Sequence, residues 1–352
     1  MRRLEDYISK VRPADSEAAQ AARTAQSNLT KPQGSLGRLE DLSVRLAGML
    51  GTSRPSLGSK VVFTMAADHG VTDEGVSAYP SEVTRQMVLN FAAGGAAINV
   101  LTRHIGADVR VVDMGVASDQ EWPDCITNRK IAPGTRNMAQ GPAMSIEEAR
   151  RSLEIGAELA HQAVDEGAGA IAIGDMGIGN TTSASAITAT VTGRTVAEVT
   201  GRGTGIDDTK LSLKVSVIER ALKVNAPDSS DGMGIISKVG GFEIGGMAGV
   251  ALGAASAGVP VFLDGFVSTS GALLAGVICP ESVDYMVASH LSVEAGHAHA
   301  LAHLGLKPLL DLEMRLGEGT GAVLAMGIAD ASCKLLSQMA TFESAGVSGS
   351  ND

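Results

Sequence analysis

A glycine-rich segment at residues 174–182 has the composition of an anion-binding turn. Its sequence is GDMGIGNTT, and it lies between an apolar run and a helix-forming stretch. Glycines let the backbone approach a ligand closely, and the free N–H groups at the start of a helix attract phosphate. A simple turn with Asn180 or Thr181 as a helix cap explains the same residues. Since the segment matches neither a Walker A loop nor G-x-G-x-x-G, both interpretations stay open.

A second glycine-rich segment, residues 201–208, precedes another helix-forming stretch. Its sequence is GRGTGIDD, and Lys210 and Lys214 follow it. The segment could form a second wall of a phosphate site, with Lys214 as the opposite charge. Alternatively, Asp207 or Asp208 caps the helix and Lys214 is a solvated surface charge. An apolar residue followed by two aspartates is also similar to the ribose-binding loop of phosphoribosyl-diphosphate enzymes.

A single carboxylate, Glu318, lies among glycines in the segment GEGTG at residues 317–321. Small residues leave space for a flat ring to lie against this carboxylate. Apolar surroundings, such as Leu316 and the apolar stretch after residue 321, raise the pKa of a carboxylate and make it a better base. The segment therefore indicates a general base, although a solvent-exposed glutamate in a flexible turn is the simpler interpretation.

The segment from residue 67 to residue 86 offers ring-stacking and hydrogen-bonding groups. Tyr79 and Gln86 could contact a flat substrate, whereas an ordinary loop before a helix capped at Ser81 explains the same segment. Asp68 and His69 could form a dyad, but no well-placed nucleophile follows them in the local sequence.

Four histidines follow at residues 290, 297, 299 and 303. His299 and His303 are spaced to share one helix face, as two metal ligands can be. No glutamate lies between them as in H-E-x-x-H. We therefore favour packing or hydrogen-bonding roles for these histidines and predict no metal site.

These segments follow short apolar runs that alternate with helix-forming stretches. The runs are 61–66, 109–112, 170–173 and 261–263, with a weaker one at 283–288, and the helical stretches include 81–101, 145–166 and 207–224. Uninterrupted apolar runs between helices predict an α/β fold, in which helices cover both faces of a parallel sheet. Ligands bind beyond the carboxyl ends of such strands, where most of the candidate segments lie.

The two ends of the chain have a different pattern. Stretches 16–29, 37–50 and 321–339 are typical of amphipathic helices. They predict a smaller helical domain that is built from both chain ends, residues 1–60 and 306–352. Residues 61–305 then form the α/β domain that carries the active-site loops.

Composition and charge argue against several partners. The net charge is −11, from 28 basic and 39 acidic residues, and without a basic stripe the chain is not expected to bind nucleic acid. Three sparse cysteines, at residues 125, 279 and 333, match no zinc or redox motif and predict a reducing, cytoplasmic environment. Residues 244–263 carry no charge, but their Gly, Ala and Pro content predicts a buried helix and a buried strand rather than a membrane span.

Eight segments together resemble the nicotinate-nucleotide–dimethylbenzimidazole phosphoribosyltransferase family, in family order and over most of the chain. They are residues 31–40, 68–71, 75–80, 174–182, 201–205, 239–244, 263–266 and 317–321. Jointly these segments are highly specific, although none of them is specific alone. The resemblance implies a Rossmann-like α/β domain, a smaller domain from both termini and a homodimer.

The resemblance also implies a reaction and its site residues. Nicotinate mononucleotide reacts with 5,6-dimethylbenzimidazole, inverting C1′, to give α-ribazole 5′-phosphate and nicotinate for the nucleotide loop of cobalamin. Glu318 matches the general base, and Asp175 stands where some relatives carry glutamate. The ribose phosphate is expected at Gly177, Gly179, Asn180, Thr181, Gly203, Lys214 and Ser292. The benzimidazole is expected at Tyr79, Ser81, Gln86, Met176 and Leu316. Since no pyrophosphate leaves, we predict no metal and no cofactor.

Two other hypotheses fit parts of the sequence. A phosphoribosyltransferase that uses the diphosphate donor, built on Asp207 and Asp208, predicts dependence on magnesium. A regulatory protein that binds the mononucleotide without turnover needs no base, so the Glu318 segment favours an enzyme.

Overall fold

A parallel sheet lies at the centre of the computed structural model, which describes residues 2–203 and 205–348. Thr204, in the predicted phosphate segment 201–205, lies outside these residues, as do Met1 and residues 349–352. The strands are β1 (Ser59–Ala67), β2 (Asp108–Gly115), β3 (Ile126–Asn128), β4 (Ala168–Met176), β5 (Val261–Leu263) and β6 (Met286–Ala288). Their order in the sheet is β3-β2-β1-β4-β5-β6, and neighbouring strands are parallel. The predicted α/β fold is confirmed.

The apolar runs form the strands because both faces of the sheet are covered. Val62 in β1 pairs with Val109 in β2 and with Ala172 in β4, and the centres of β1 and β4 are buried. The prediction for 283–288 is wrong in its first half, since Pro280–Tyr285 forms a 3₁₀ helix and only Met286–Ala288 is a strand. The short strand β3 was not predicted, because three residues carry too little apolar pattern.

Helices flank the sheet on both faces. They are α1 (Leu4–Ile8), α2 (Ser16–Ser27), α3 (Arg38–Leu50), α4 (Glu82–Ala92), α5 (Ala97–Ile105), α6 (Ile146–Asp165), α7 (Asn180–Thr192), α8 (Val196–Val199), α9 (Asp208–Asn225), α10 (Gly232–Val239), α11 (Phe242–Ala257), α12 (Phe266–Ile278), α13 (Ala295–His303), α14 (Thr320–Gln338) and α15 (Phe342–Ala345). The predicted helix 81–101 is in fact α4 and α5, because Gly94, with a left-handed φ of 75°, breaks the chain between them.

The uncharged segment 244–263 is a buried helix followed by a buried strand, as predicted. It forms most of α11, which packs against α6, and then β5. None of the helices in the described residues is long and apolar enough to cross a membrane.

Helices from both chain ends pack together. Ala22, Val44, Ala47 and Leu336, from α2, α3 and α14, form an apolar cluster separate from the main core. Leu29 and Thr341 form an antiparallel bridge beside it. Helix α14 also contacts β4 and β5, so it connects the terminal helices to the sheet. The division into two domains stays a prediction.

The contact between α6 and α11 leaves no room for a side chain at Gly156 in α6. A methyl group on Gly156 would overlap the carbonyl oxygen of Gly246, so the helices touch backbone to backbone. We expect Gly156→Ala to lower the free energy of unfolding by about 1–3 kcal/mol, as overpacking does. Chemical denaturation measures this change.

Gly327 in α14 is the matched control. A methyl group there meets only Ile105, at an ordinary 3.5 Å, and alanine favours helix over glycine by roughly 0.5–1 kcal/mol. Gly327→Ala should therefore be slightly stabilising. Equal stability of the two variants would contradict this account of the helix pair.

Candidate active site

A cleft opens at the carboxyl ends of β4 and β5, as expected for a parallel sheet. Eight of the predicted site residues line it: Asp175, Met176, Gly177, Asn180, Thr181, Gly203, Ser292 and Leu316. An adjoining cavity shares Thr181 and Gly203 with the cleft and adds Gly179 and Lys214. The structure therefore brings the glycine-rich segments together, although they are far apart in sequence.

Glu318 directly follows Leu316 and Gly317, which line the cleft. It is only 4% exposed, so the simpler interpretation of an exposed glutamate is wrong. Its Oε2 accepts a hydrogen bond from the Ile98 N–H at the start of α5 (3.3 Å). Burial raises the pKa of Glu318, as the sequence predicted, while the Ile98 N–H lowers it.

The backbone of Glu318 is held in an unusual conformation. Its φ of 65° is left-handed, which is rare outside glycine. The Glu318 N–H donates to the Asp175 carbonyl oxygen (3.2 Å), and the Thr64 hydroxyl donates to the Glu318 carbonyl oxygen (2.8 Å). Such strain persists only where surrounding bonds impose it, and it is concentrated at functional sites.

Asp175 is a second buried carboxylate, at the end of β4. Its Oδ2 accepts a hydrogen bond from the Asn180 side-chain amide (2.8 Å). Burial, reinforced by the nearby charge of Asp264, raises the pKa of Asp175 to about 8. Burial therefore favours the protonated form of Asp175.

Asp264 is a third carboxylate, which the sequence placed at a strand end but without a role. It is buried, and its side chain accepts hydrogen bonds from the N–H groups of Gly319 (2.9 Å), Gly321 (2.7 Å) and Ala322 (3.2 Å). Burial raises the pKa of Asp264 to about 7, although these three donors act in the opposite direction. The acidic residue after an apolar run was the available sequence signal.

Lys214 lines the cavity that adjoins the cleft. It is 1% exposed, so the interpretation as a solvated charge is wrong, and its Nζ donates to the Thr181 hydroxyl (2.8 Å). Burial lowers the pKa of Lys214 to about 8, and Glu294 acts against this shift.

Asp207 accepts a hydrogen bond from the Lys210 N–H (2.8 Å) as the cap of α9, which confirms the capping interpretation of that residue.

The predicted benzimidazole residues fall into two groups. Met176 and Leu316 line the cleft. Tyr79, before α4, and Gln86, on α4, are both exposed. The Ser81 hydroxyl lies 3.2 Å from the Thr72 hydroxyl. None of these three residues is among those that line the cleft. Helix α4 nevertheless touches the site, because the Ile178 N–H donates to the Thr84 hydroxyl (3.1 Å).

The proposed Asp68–His69 dyad is wrong. Nε2 of His69 lies 2.6 Å from Glu243, and Nδ1 lies 3.2 Å from the Ser183 hydroxyl. Asp68 instead accepts a hydrogen bond from the Ala117 N–H (2.7 Å). The residues that pair with His69 come from distant helices, so local sequence could not identify them.

The later histidines have different environments. Nδ1 of His297 accepts from the Ser292 N–H (2.9 Å), and Nε2 lies 2.9 Å from the Thr269 hydroxyl, which confirms a hydrogen-bonding role. Burial lowers the pKa of His297 to about 3. His299 is half-buried and His303 is exposed.

Sequence reasoning assigned no substrate-binding role to three polar residues that line the cleft, namely His290, Glu294 and Arg315. Burial raises the pKa of Glu294, and a guanidinium N–H of Arg315 donates to the Gly203 carbonyl oxygen (3.4 Å). Arg315 lies three positions before Glu318, which was the available signal. Glu294 lies beside the histidine cluster but carries no local motif.

Comparison with known proteins shows the family of the chain. A family model described as Phosphoribosyltransferase matches residues 11–347. The nicotinate-nucleotide–dimethylbenzimidazole phosphoribosyltransferase of Chloroflexus aggregans is 57% identical over 345 residues, 98% of each chain. The enzyme of that name from Geobacter metallireducens is 53% identical over 349 residues, 99% of each chain. A crystal structure of CobT from Thermus thermophilus is 49% identical, with a TM-score of 0.92, and the match covers 95% of this chain and all of that one.

The burial of Asp175 predicts a pH-dependent cost to stability. Its pKa of about 8 lies above the ordinary 3.8, so its contribution to stability is present below about pH 4 and is lost as the pH rises through about 8. Asp175→Asn should therefore gain stability over the wild type as the pH rises. Each pKa unit corresponds to about 1.4 kcal/mol, and denaturation at about pH 5 and about pH 9 measures the difference.

Asp228 is the control, because hydrogen bonds from Ser230 lower the pKa of this exposed residue. Asp228→Asn should gain no stability at high pH. A gain for Asp175→Asn that does not change with pH would contradict the burial argument.

Proposed function

The chain belongs to the nicotinate-nucleotide–dimethylbenzimidazole phosphoribosyltransferase family of cobalamin biosynthesis, and we propose that its strand-end cleft performs the transfer with inversion at C1′. The phosphoribosyl group of nicotinate mononucleotide passes to 5,6-dimethylbenzimidazole, giving α-ribazole 5′-phosphate and nicotinate. One observation carries this assignment: the buried carboxylate Asp175 lines the cleft and the buried cation Lys214 lines the adjoining cavity, while buried Glu318 directly follows the cleft residues Leu316 and Gly317.

The phosphate of the mononucleotide is assigned to the Lys214 side. Lys214 and Thr181 are already hydrogen-bonded there, next to the start of α7, whose cap Gly179 has no side chain to occupy the helix N–H groups. A helix N-terminus and a lysine together favour a phosphate. The proposed set is Gly177, Gly179, Asn180, Thr181, Gly203, Lys214 and Ser292.

The reacting nitrogen of the benzimidazole is assigned to the carboxylate side. One ring nitrogen attacks C1′ from the face opposite nicotinate, the C1′–N bond to nicotinate breaks, and its electron pair leaves with nicotinate. The N–H proton of the benzimidazole passes to Glu318. Burial raises the pKa of Asp175 to about 8 and favours its protonated form, so Asp175 is assigned as the second carboxylate rather than as the first base.

The benzimidazole ring is assigned to the space between α4 and the Glu318 turn. Met176 and Leu316 supply apolar surface on the cleft side. Tyr79, Ser81 and Gln86 are proposed as the outer wall, and the hydrogen bond between Ile178 and Thr84 ties α4 to that side of the cleft. The exposure of Tyr79 suits a residue that a flat ring covers on binding.

Three further proposals are a homodimer, which the family resemblance implies, a cytoplasmic location, which the sparse cysteines favour, and a two-domain division. The division into 1–60 with 306–352 and 61–305 follows the amphipathic helices at both chain ends and agrees with the family resemblance. Helix α14 belongs to the terminal cluster and begins at the Glu318 turn, which supports a site that both predicted domains build.

A product assay tests the proposed function. The purified protein is incubated with nicotinate mononucleotide and a panel of benzimidazoles, purines and phenols in excess EDTA. We expect release of nicotinate and formation of the α-riboside phosphate with 5,6-dimethylbenzimidazole. Binding without release would identify a regulatory protein, and activity only with the phosphoribosyl diphosphate donor and magnesium would identify the alternative transferase.

Glu318→Gln tests the general base. Glutamine keeps the shape of the side chain but cannot accept the proton, and loss of a general base typically costs about 10²–10⁴-fold in rate. The loss should fall on kcat, with the KM of both substrates little changed. Near-normal kcat would show that Glu318 is not the base, and Asp175 would then be the carboxylate to test.

Lys214→Ala is the contrasting variant. Charge-assisted contacts are worth roughly 1.5–3 kcal/mol, so the KM for the mononucleotide should rise much more than the KM for the benzimidazole. Equal effects on both substrates would count against a phosphate role for Lys214.

A further inference from the structure

We propose that Asp264 is a positioning residue, which holds the turn of Glu318 so that the carboxylate of Glu318 faces the reacting ring. This inference rests on the proposed function, because it takes Glu318 as the base. Asp264 directly follows β5, and its carboxylate accepts hydrogen bonds from the backbone N–H groups after Glu318.

Asp264 accepts three hydrogen bonds from backbone N–H groups just after Glu318. Oδ2 accepts from Gly319 (2.9 Å), and Oδ1 accepts from Gly321 (2.7 Å) and Ala322 (3.2 Å). Gly319 is the cap residue of α14 and has no side chain to bind the free N–H groups there. Asp264 therefore caps α14 from another part of the chain, and the same bonds fix the turn.

Glu318 needs this support because its backbone is left-handed, with a φ of 65°. The Asp175 carbonyl holds its N–H, the Thr64 hydroxyl holds its carbonyl oxygen, and Asp264 holds the N–H of the next residue. With both flanking peptide groups fixed, the Cα–Cβ bond of Glu318 has one direction. Without Asp264, the N–H of the peptide that follows Glu318 loses its partner, and only the Thr64 bond to the carbonyl oxygen still holds that peptide.

A purely structural cap would not need a carboxylate at this place. Asp264 lies near the ionisable groups of Asp175, Glu318 and His290, with His290 Nε2 3.6 Å from Oδ1. Adding a third buried carboxylate to two others is electrostatically costly, and asparagine or serine caps helices nearly as well. The carboxylate, unlike either alternative, accepts three N–H bonds at once, which is what an immobile turn requires.

Asp264→Asn is the test. Its amide places N–H groups against backbone donors, which loosens the turn without emptying the space. We expect kcat to fall by about 10–100-fold, as for a misplaced catalytic group, while the KM for nicotinate mononucleotide stays within about 2-fold of the wild-type value, because the phosphate is assigned to other loops. In the Glu318→Gln background, Asp264→Asn should cause no further loss of kcat.

Asp113→Asn is the matched control. Asp113 is another buried aspartate at the carboxyl end of a strand, and it accepts hydrogen bonds from Gly115 (3.0 Å) and Val116 (2.8 Å). We expect Asp113→Asn to lower Tm as Asp264→Asn does, but to keep wild-type kcat. An equal fall in kcat for both variants would overturn the proposal, since it would show only general destabilisation.

Variants of Thr64 test the positioning of Glu318 if Asp264→Asn does not fold. Thr64→Val removes the bond to the Glu318 carbonyl and should lower kcat without changing the KM for the mononucleotide, while Thr64→Ser should restore kcat. A loss from Asp264→Asn that is undiminished in the Glu318→Gln background, or wild-type kcat in Thr64→Val, overturns the positioning role. Normal kcat in Glu318→Gln alone instead refutes the assignment of the base.

Discussion

The accumulation of buried carboxylates at the ends of β4 and β5 is the constraint on which the rest of the site depends. Asp175, Asp264 and Glu318 approach one another with Glu243 nearby, and no salt bridge from lysine or arginine is seen to Asp175, Asp264 or Glu318 in the described structure. Burial and mutual repulsion both oppose ionisation. What offsets them is a set of N–H donors, from Asn180, the start of α5 and the first turn of α14.

This need for donors explains why a helix from the far end of the chain starts at the centre of the sheet. A helix N-terminus has unsatisfied N–H groups, and α14 directs its own at Asp264 while α5 directs one at Glu318. The approach must be close, and a side chain on Gly174 would overlap the Gly319 backbone. Gly319 itself, with a φ of 98°, lets the chain turn from Glu318 directly into the helix.

Sequence could predict the parts of this arrangement that are local. The apolar runs identified four of the strands, and the acidic or glycine-rich segments after them identified the edge where the site lies. It could not predict that Lys214, on a helix of polar composition, is buried, nor that Glu318 is covered by α5, since both facts depend on elements distant in the chain. To predict the break between α4 and α5, the two glycines at 94 and 95 had to be given more weight than the continuous apolar pattern around them. Tyr79 and Gln86 were inferred from family resemblance, and their exposure here means that no contact within the chain identifies their role.

The separation of charges suits the proposed reaction. As the bond to nicotinate breaks, positive charge develops at C1′ and then on the ring that has attacked it, whereas the phosphate stays negative throughout. Preorganised charges are most effective when they lie where opposite charge develops. Glu318, the assigned base, follows the cleft residues Leu316 and Gly317 at the side assigned to C1′ and the ring, and Lys214 lines the cavity assigned to the phosphate. A cation among the carboxylates would ease their burial but would oppose the developing charge. The N–H donors carry only partial charge, so they stabilise the buried carboxylates at a smaller cost to the transition state.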